Sequence, residues 1–197
     1  MRKRLLGLAS LTAAVLALPV VFAGVAWGHG YTTTPVSRAY NCKTGAAKNC
    51  GQIQYEPQSV EGPKGFPSRG PADGKICSAG LSQFGQLNDQ RNGSWPASKL
   101  TSGADYTFKW TLTAAHATTN FRYFVTKNGW NPNAPLTRAQ LETEPFLTVP
   151  FGGKRPPNAV SHNGKLPSGK SGRHMILSVW DIADTGNAFY QCADVTF

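Results

Sequence analysis

Nitrogen donors are the chemically distinctive side chains here, and only four histidines supply them: His29, His116, His162 and His174. His29 follows Ala26-Trp27-Gly28, which lies downstream of Arg2, Lys3, Arg4 and an apolar run from Leu5 to Val25. A basic start, an apolar middle and small residues at −3 and −1 define a secretory signal peptide. Cleavage after Gly28 makes His29 the first residue of the mature protein. Its α-amine and its imidazole Nδ1 then close a chelate ring on a metal ion. His116 lies in Thr113-Ala114-Ala115-His116-Ala117-Thr118-Thr119, a loop at a strand end whose small neighbours are expected to leave the ring accessible. With His29 it completes a T of three nitrogens. Lacking thiolate and carboxylate, that set favours copper among first-row metals. The amine must lose its proton to bind, so affinity falls in acid. His162 and His174 have no such setting and read as structural.

Other chemistry finds less support. Ten acidic residues, including Glu56, Glu61, Asp181, Asp184 and Asp194, leave a glycosidase carboxylate pair open by count alone. No nucleophile elbow, phosphate loop, zinc-protease helix or dinucleotide fingerprint occurs. The formal charge is +10, of which Arg2, Lys3 and Arg4 contribute three, leaving +7 on the mature chain. Lys43, Lys48, Lys64, Arg69, Lys99, Lys127 and Arg138 stand singly, with no dense run, which argues against nucleic-acid binding.

The elements that must position these groups fall into two halves. Of the 197 residues, removing the leader leaves 169, enough for one domain with a real core. Nothing after His29 is long and apolar enough to cross a membrane, so the mature chain is expected to be exported and soluble. Residues 30–40 read as a short extended start interrupted by Pro35. Residues 41 to about 100 are rich in Gly, Pro, Ser, Asn and Gln, with short helices such as Ser82 to Leu87. An irregular stretch of that length points to a functional surface. In the second half Tyr106–Thr113 alternates with period two, and strands are expected at 121–126, 161–162, 174–180 and 188–197. Turn signals such as Asn128-Gly129, Pro156-Pro157 and Thr185-Gly186-Asn187 separate them. Short strands with such turns predict an all-β fold, an antiparallel β-sandwich.

Cys42, Cys50, Cys77 and Cys192 in an exported chain should form two disulfides, with three possible connectivities. The preferred local pair is Cys42–Cys50, which leaves Cys77–Cys192. On a chain-entropy basis they contribute roughly 2.5 and about 5 kcal/mol.

Taken together these residues resemble the bacterial lytic polysaccharide monooxygenases of auxiliary-activity family ten, in particular the small single-domain chitin-active members. The resemblance runs from His29 to Phe197. It rests on His29-Gly30-Tyr31 with Ser37-Arg38-Ala39-Tyr40, on Gln54 to Gly62, on Gly70-Pro71-Ala72-Asp73-Gly74, on Trp110 to His116, and on Trp180 to Thr185 with Asn187 to Gln191. It implies an immunoglobulin or fibronectin-III-like sandwich whose long, partly helical loop insertion builds much of a flat binding face. By matching position, His29 and His116 are the copper ligands, Phe189 is the axial aromatic, Ala114 crowds the opposite side and Glu61 is the acid that handles protons. Tyr55, Glu56, Pro57, Glu61, Asp184 and Asn187 match the polysaccharide face. Some close relatives place their second disulfide within the later loops, whereas here Cys77 and Cys192 supply it.

The resemblance further implies residues 1–28 as signal peptide and 29–197 as catalytic domain of a secreted monomer. One copper ion would cycle between Cu(I) and Cu(II), with an external electron donor and hydrogen peroxide or dioxygen as co-substrate. The expected outcome is oxidative cleavage of crystalline chitin at C1. A chitin-binding or adhesion protein without catalysis, the same chemistry on cellulose, and a hydrolase using Glu61 and Asp184 are the alternatives.

Overall fold

The computed structural model describes residues 28–197, so the leader read over residues 1–28 lies outside the described residues except for Gly28. Nine strands form two sheets. The smaller contains β1 (His29–Thr34), β4 (Asp105–Ala114) and β7 (Ala159–Lys165) in the order β1-β4-β7. The larger runs β2-β9-β8-β5-β6, with β2 (Glu61–Pro63), β5 (Thr118–Val125), β6 (Leu147–Pro150), β8 (Arg173–Ile182) and β9 (Asn187–Thr196). All these pairs are antiparallel; the two-residue β3 (Ser98–Lys99) alone joins β9 in parallel. Among the described residues no helix is long and apolar enough to cross a membrane.

Side-chain alternation explains why the two halves of the sequence look so different. On β8, Ile176, Trp180 and Ile182 face the smaller sheet, where Phe108, Trp110 and Leu112 of β4 meet them. The intervening Met175, Leu177 and Val179 face the other way, onto Ile53, Val60, Phe66, Phe84 and Trp95 of the insertion. β9 divides likewise, with Phe189 and Val195 on the first side and Ala188, Tyr190 and Cys192 on the second. The larger sheet is therefore covered on both faces, and β8 is buried from His174 to Ile182, with Met175, Ile176, Leu177, Val179 and Trp180 apolar on both sides, because it has no solvent side. β4 lies at the outside of the sandwich and keeps period two, burying Phe108, Trp110 and Leu112 while Lys109 and Thr113 are exposed.

The insertion is fastened to the sheet at several points. Cys42–Cys50 and Cys77–Cys192 are both formed, as expected, and the second ties the insertion to β9. Arg38, 1% exposed, pairs with Asp194 of β9 at 2.7 Å and donates to the Leu87 carbonyl and Gln90 Oε1. Trp95 packs under the guanidinium groups of both Arg38 and Arg91.

Two local details differ from the sequence reading. The extended start ends at Thr34, and residues 38–44 form a helix, α1 (Arg38–Thr44). Ser37 caps it, its Oγ accepting from the Tyr40 N–H, and Gly45 ends it at φ 75°. Residues 147–150, for which the sequence raised no expectation of a strand, form β6, which pairs with β5 through four register positions.

Candidate metal centre

One end of the sandwich gathers the sequence-predicted groups. β1 pairs with β4 so that His29 lies opposite Ala114. Gly30 makes this approach possible: a Cβ there would lie 2.6 Å from Leu112 Cδ2 and 3.2 Å from Trp180 Cζ3. Beyond Ala114 the chain turns through residues 115–117, which carry His116, before entering β5. That turn is held tightly. Thr118 Oγ1 donates to the His116 carbonyl at 2.9 Å and accepts from Trp180 Nε1 at 2.8 Å. The Ala183 N–H donates to the Ala117 carbonyl, tying the turn to the β8–β9 connection that carries Asp184.

His116 Nδ1 stands 2.9 Å from Asp184 Oδ1. A carboxylate only accepts, so the proton sits on Nδ1 and leaves Nε2 as a lone pair. That Nε2 is buried without a hydrogen-bond partner among the described residues. An orphaned, oriented imidazole lone pair with a carboxylate behind it is the arrangement of a metal-ligating histidine. The ring is only 8% exposed, however, which corrects the accessible ring expected from its small neighbours. Asp184 at its Nδ1 and the chain at Gly28 stand against it.

His29 converges on the same place. Its ring lies 6.4 Å from that of Phe189, which is fully buried and stacks on Trp180 at 4.9 Å. Gly28 marks the gap between the groups: a Cβ there would lie 3.1 Å from Phe189 Cε2 and 3.5 Å from His116 Cβ. The peptide that joins Gly28 to His29 therefore runs at this end of the sandwich, where His116 and Phe189 lie. No group of three His, Cys, Asp or Glu side chains among the described residues is arranged to hold a metal. An ion here would need two imidazoles and the main-chain nitrogen of residue 29. This donor set fits copper.

Glu61 lies opposite Phe189 across the β2–β9 pair, and its Oε1 accepts from Asn187 Nδ2 at 2.9 Å. Glu61, Glu56, His29, Ser59, Gln83 and Phe84 line a cavity of about 310 Å³. A second cavity, of about 510 Å³, is lined by Ala114, His116, Asp184 and Arg155 with their neighbours. Among the described residues Tyr55 is the exposed large hydrophobic side chain, at 74%. Next to it Glu56 accepts from Gln52 Nε2. Pro57 differs from expectation: it is buried, with its carbonyl near Gln191 Nε2, so it shapes the loop below the face. Sequence reading missed the Asp184–His116 contact, because 68 residues separate the two and no spacing rule connects them.

The other two histidines are structural, as read. His162 accepts from the buried Tyr123 hydroxyl at 2.7 Å among Phe121 and Phe151, and burial pushes its pKa down to about 4. His174 bonds Thr126, and burial followed by the nearby Lys170 charge lowers its pKa too.

A sandwich carrying two histidines at one end, with an imidazole lone pair left for a metal, defines a class, and comparison with known proteins supplies its name. Residues 29–195 match the family described as lytic polysaccharide mono-oxygenase, cellulose-degrading, and the chain belongs to that family, auxiliary-activity family ten. It is 52% identical over 172 residues to a lytic polysaccharide monooxygenase C of Mycosarcoma maydis, covering 86% of this chain and 52% of the relative. It is 44% identical to a GlcNAc-binding protein A of Shewanella oneidensis, covering 98% of this chain and 41% of the relative. The chain thus spans about half the length, or less, of these curated relatives. A Streptomyces lividans lytic polysaccharide monooxygenase superposes with TM-score 0.84 and 59% identity, over 86% of this chain and 100% of that one. A Bacillus amyloliquefaciens structure in complex with Cu(I) superposes with TM-score 0.77 and 44% identity, over 85% and 99%.

Proposed function

We propose that this chain is a secreted, copper-dependent lytic polysaccharide monooxygenase that lies on crystalline chitin and cleaves it oxidatively at C1. The observation that carries the reading is the buried His116 Nε2, left without a hydrogen-bond partner among the described residues and oriented by Asp184, at the end of the sandwich where His29 lies opposite Ala114. Removal of residues 1–28 turns the backbone nitrogen of His29 from an amide, a poor donor, into a primary amine. Residues 29–197 form the catalytic domain. One copper ion, when bound by the His29 amine, His29 Nδ1 and His116 Nε2, supplies the one-electron redox chemistry that activates dioxygen or peroxide.

The chain's own residues do the rest. Asp184 holds the His116 ring in the tautomer that offers Nε2. Phe189 contributes no donor atom and keeps one side of the centre apolar, while Ala114 leaves little room on the other. Glu61, held by Asn187, presents a carboxylate beside His29 to take up or deliver a proton. Tyr55 offers an exposed ring to the C–H faces of sugars, and Glu56, Asp184 and Asn187 bond hydroxyl and amide groups. A flat face suits a crystal surface, which cannot enter a deep pocket. The names of the GlcNAc-binding relatives support chitin over cellulose.

The test is mass spectrometry of soluble products from β-chitin treated with the copper-loaded chain beginning at His29 and ascorbate. Aldonic-acid chito-oligosaccharides that vanish with a chelator are expected. Binding to chitin with no products would favour an adhesion role; unoxidised products independent of reductant would favour hydrolysis.

A further inference from the structure

The sequence holds three Asn-Gly pairs, Asn92-Gly93, Asn128-Gly129 and Asn163-Gly164, and the fold places them in three different settings. Asn followed by Gly is chemically reactive in water, because the glycine nitrogen, unshielded by a side chain, can attack the asparagine carboxamide carbon. The attack needs an exposed carboxamide, a glycine N–H that no carbonyl holds, and room for the backbone to swing. Asn163 lies within β7, whose register sets it opposite Thr107 and Gly164 opposite Tyr106, and its Oδ1 accepts from Thr107 Oγ1 at 2.8 Å. Asn92 is exposed, but the Gly93 N–H donates to the Gln90 carbonyl at 2.8 Å. Its neighbour Arg91 is clamped as well, on the Lys48 carbonyl at 2.6 Å and over the Trp95 ring. Asn128-Gly129 is different. Both residues are exposed, the Gly129 N–H has no hydrogen-bond partner among the described residues, and a Cβ at Gly129 would meet nothing within 4 Å. One long bond closes the turn, from the Trp130 N–H to the Lys127 carbonyl at 3.2 Å. The carboxamide is held only at the surface, Asn128 Nδ2 donating to the Gly169 carbonyl at 3.0 Å.

We propose that Asn128 is a self-modification site of the folded chain, converting to aspartate and isoaspartate ahead of Asn92 and Asn163. A solvent base removes the Gly129 amide proton, the nitrogen's electron pair forms a bond to Asn128 Cγ, and the Cγ–Nδ2 bond breaks. Ammonia leaves with a proton from water, and a succinimide ring remains. Water then opens either of its carbonyls, giving aspartate or isoaspartate; nothing is oxidised or reduced. The new carboxylate only accepts, so the bond to the Gly169 carbonyl is lost and the turn comes free of the 166–172 loop. β5 runs from Thr118, beside the metal centre, to Val125, so the modified turn lies roughly 20–25 Å from the donors and leaves them untouched.

The experiment incubates the folded, copper-loaded chain beginning at His29 in mildly alkaline heavy-oxygen water and maps its peptides by mass spectrometry. Asn128 should gain the labelled acid roughly fivefold faster than Asn92 or Asn163, because no hydrogen bond must break before its glycine nitrogen reacts. In denaturant, where the fold restrains none of the three, their rates should converge. Asn128→Gln keeps the amide but lengthens its arm beyond easy ring closure, so position 128 should stay unlabelled. Cu(II) titration of the aged chain should match that of the fresh one. Faster labelling at Asn92 or Asn163 in the folded chain, equal rates at all three, or labelling of Asn128→Gln at the parent rate would overturn the proposal. An altered Cu(II) titration would overturn its placement away from the donors.

Discussion

At the scale of single residues, the site is a problem of orienting one lone pair. His116 is useful as a ligand only because Nδ1 carries the proton, and Asp184 is what fixes it there. Asp184→Asn keeps an acceptor but removes the charge, so copper affinity should fall about tenfold, whereas His116→Ala should lower it by 100-fold or more. Calorimetric titration with Cu(II) checks both; an unchanged affinity in Asp184→Asn would assign that residue to the substrate alone. This contact was not legible in the sequence, since residues 116 and 184 share no periodic relation. His29, by contrast, stands out in the sequence, because a leader-cleavage pattern is local. The burial of the His116 ring was misjudged for a physical reason: small neighbours were read as openness, but Asp184 and the chain at Gly28, both distant in sequence, stand against the ring.

Elements explain why the donors stay where they are. The insertion has little regular structure, and it keeps its shape through α1, two disulfides and the Arg38–Asp194 pair. Cys77–Cys192 spans 115 residues of sequence. Cys192→Ser should therefore cost about 5 kcal/mol. At a few degrees per kcal/mol for a domain of this size, the melting temperature should drop by roughly 10–15 °C. A drop of only one or two degrees would mean that the insertion is held by packing alone. Arg38→Met should cost about 3 kcal/mol, because it removes one of the two guanidinium partners of the buried Asp194 carboxylate and leaves only Arg173 to hold it; thermal melting checks it. Three disulfide pairings were open in the sequence, and the one preferred for its local Cys42–Cys50 bridge is the one formed. The helix was signalled by Ser37 and Gly45 but hidden by Pro35 nearby. Two- to four-residue strands such as β2, β3 and β6 show no periodicity at all, because their partners, not their own sequences, define them.

For the molecule as a whole, the closed interior between the two sheets has a consequence for pH. His162 has a folded pKa near 4, below its unfolded value of 6.5, because burial disfavours the charged ring. Between those values the unfolded chain binds the extra proton and the folded chain does not. Stability from this residue is thus full above pH 6.5 and is lost as pH falls toward 4, by about 3 kcal/mol in total. His174, also lowered, acts in the same direction. Melting temperatures of the metal-free chain should decline from pH 6.5 to 4.5, and His162→Gln should flatten that slope; an equal slope in both would exclude His162 as the cause. The sandwich itself was legible from alternation in β4 and from turn spacing. Its second covered face was not, because a strand apolar on both sides, such as β8, looks the same whatever lies above it.

The central claim is that two histidines and a liberated main-chain nitrogen make one copper site, and retention of Gly28 tests it most directly. Cu(II) is titrated into the metal-free chain beginning at His29 and into the same chain beginning at Gly28. One tight equivalent is expected in the first and an affinity weaker by about 100-fold or more in the second, since the nitrogen of residue 29 would remain an amide. Equal affinity in the two chains would contradict it.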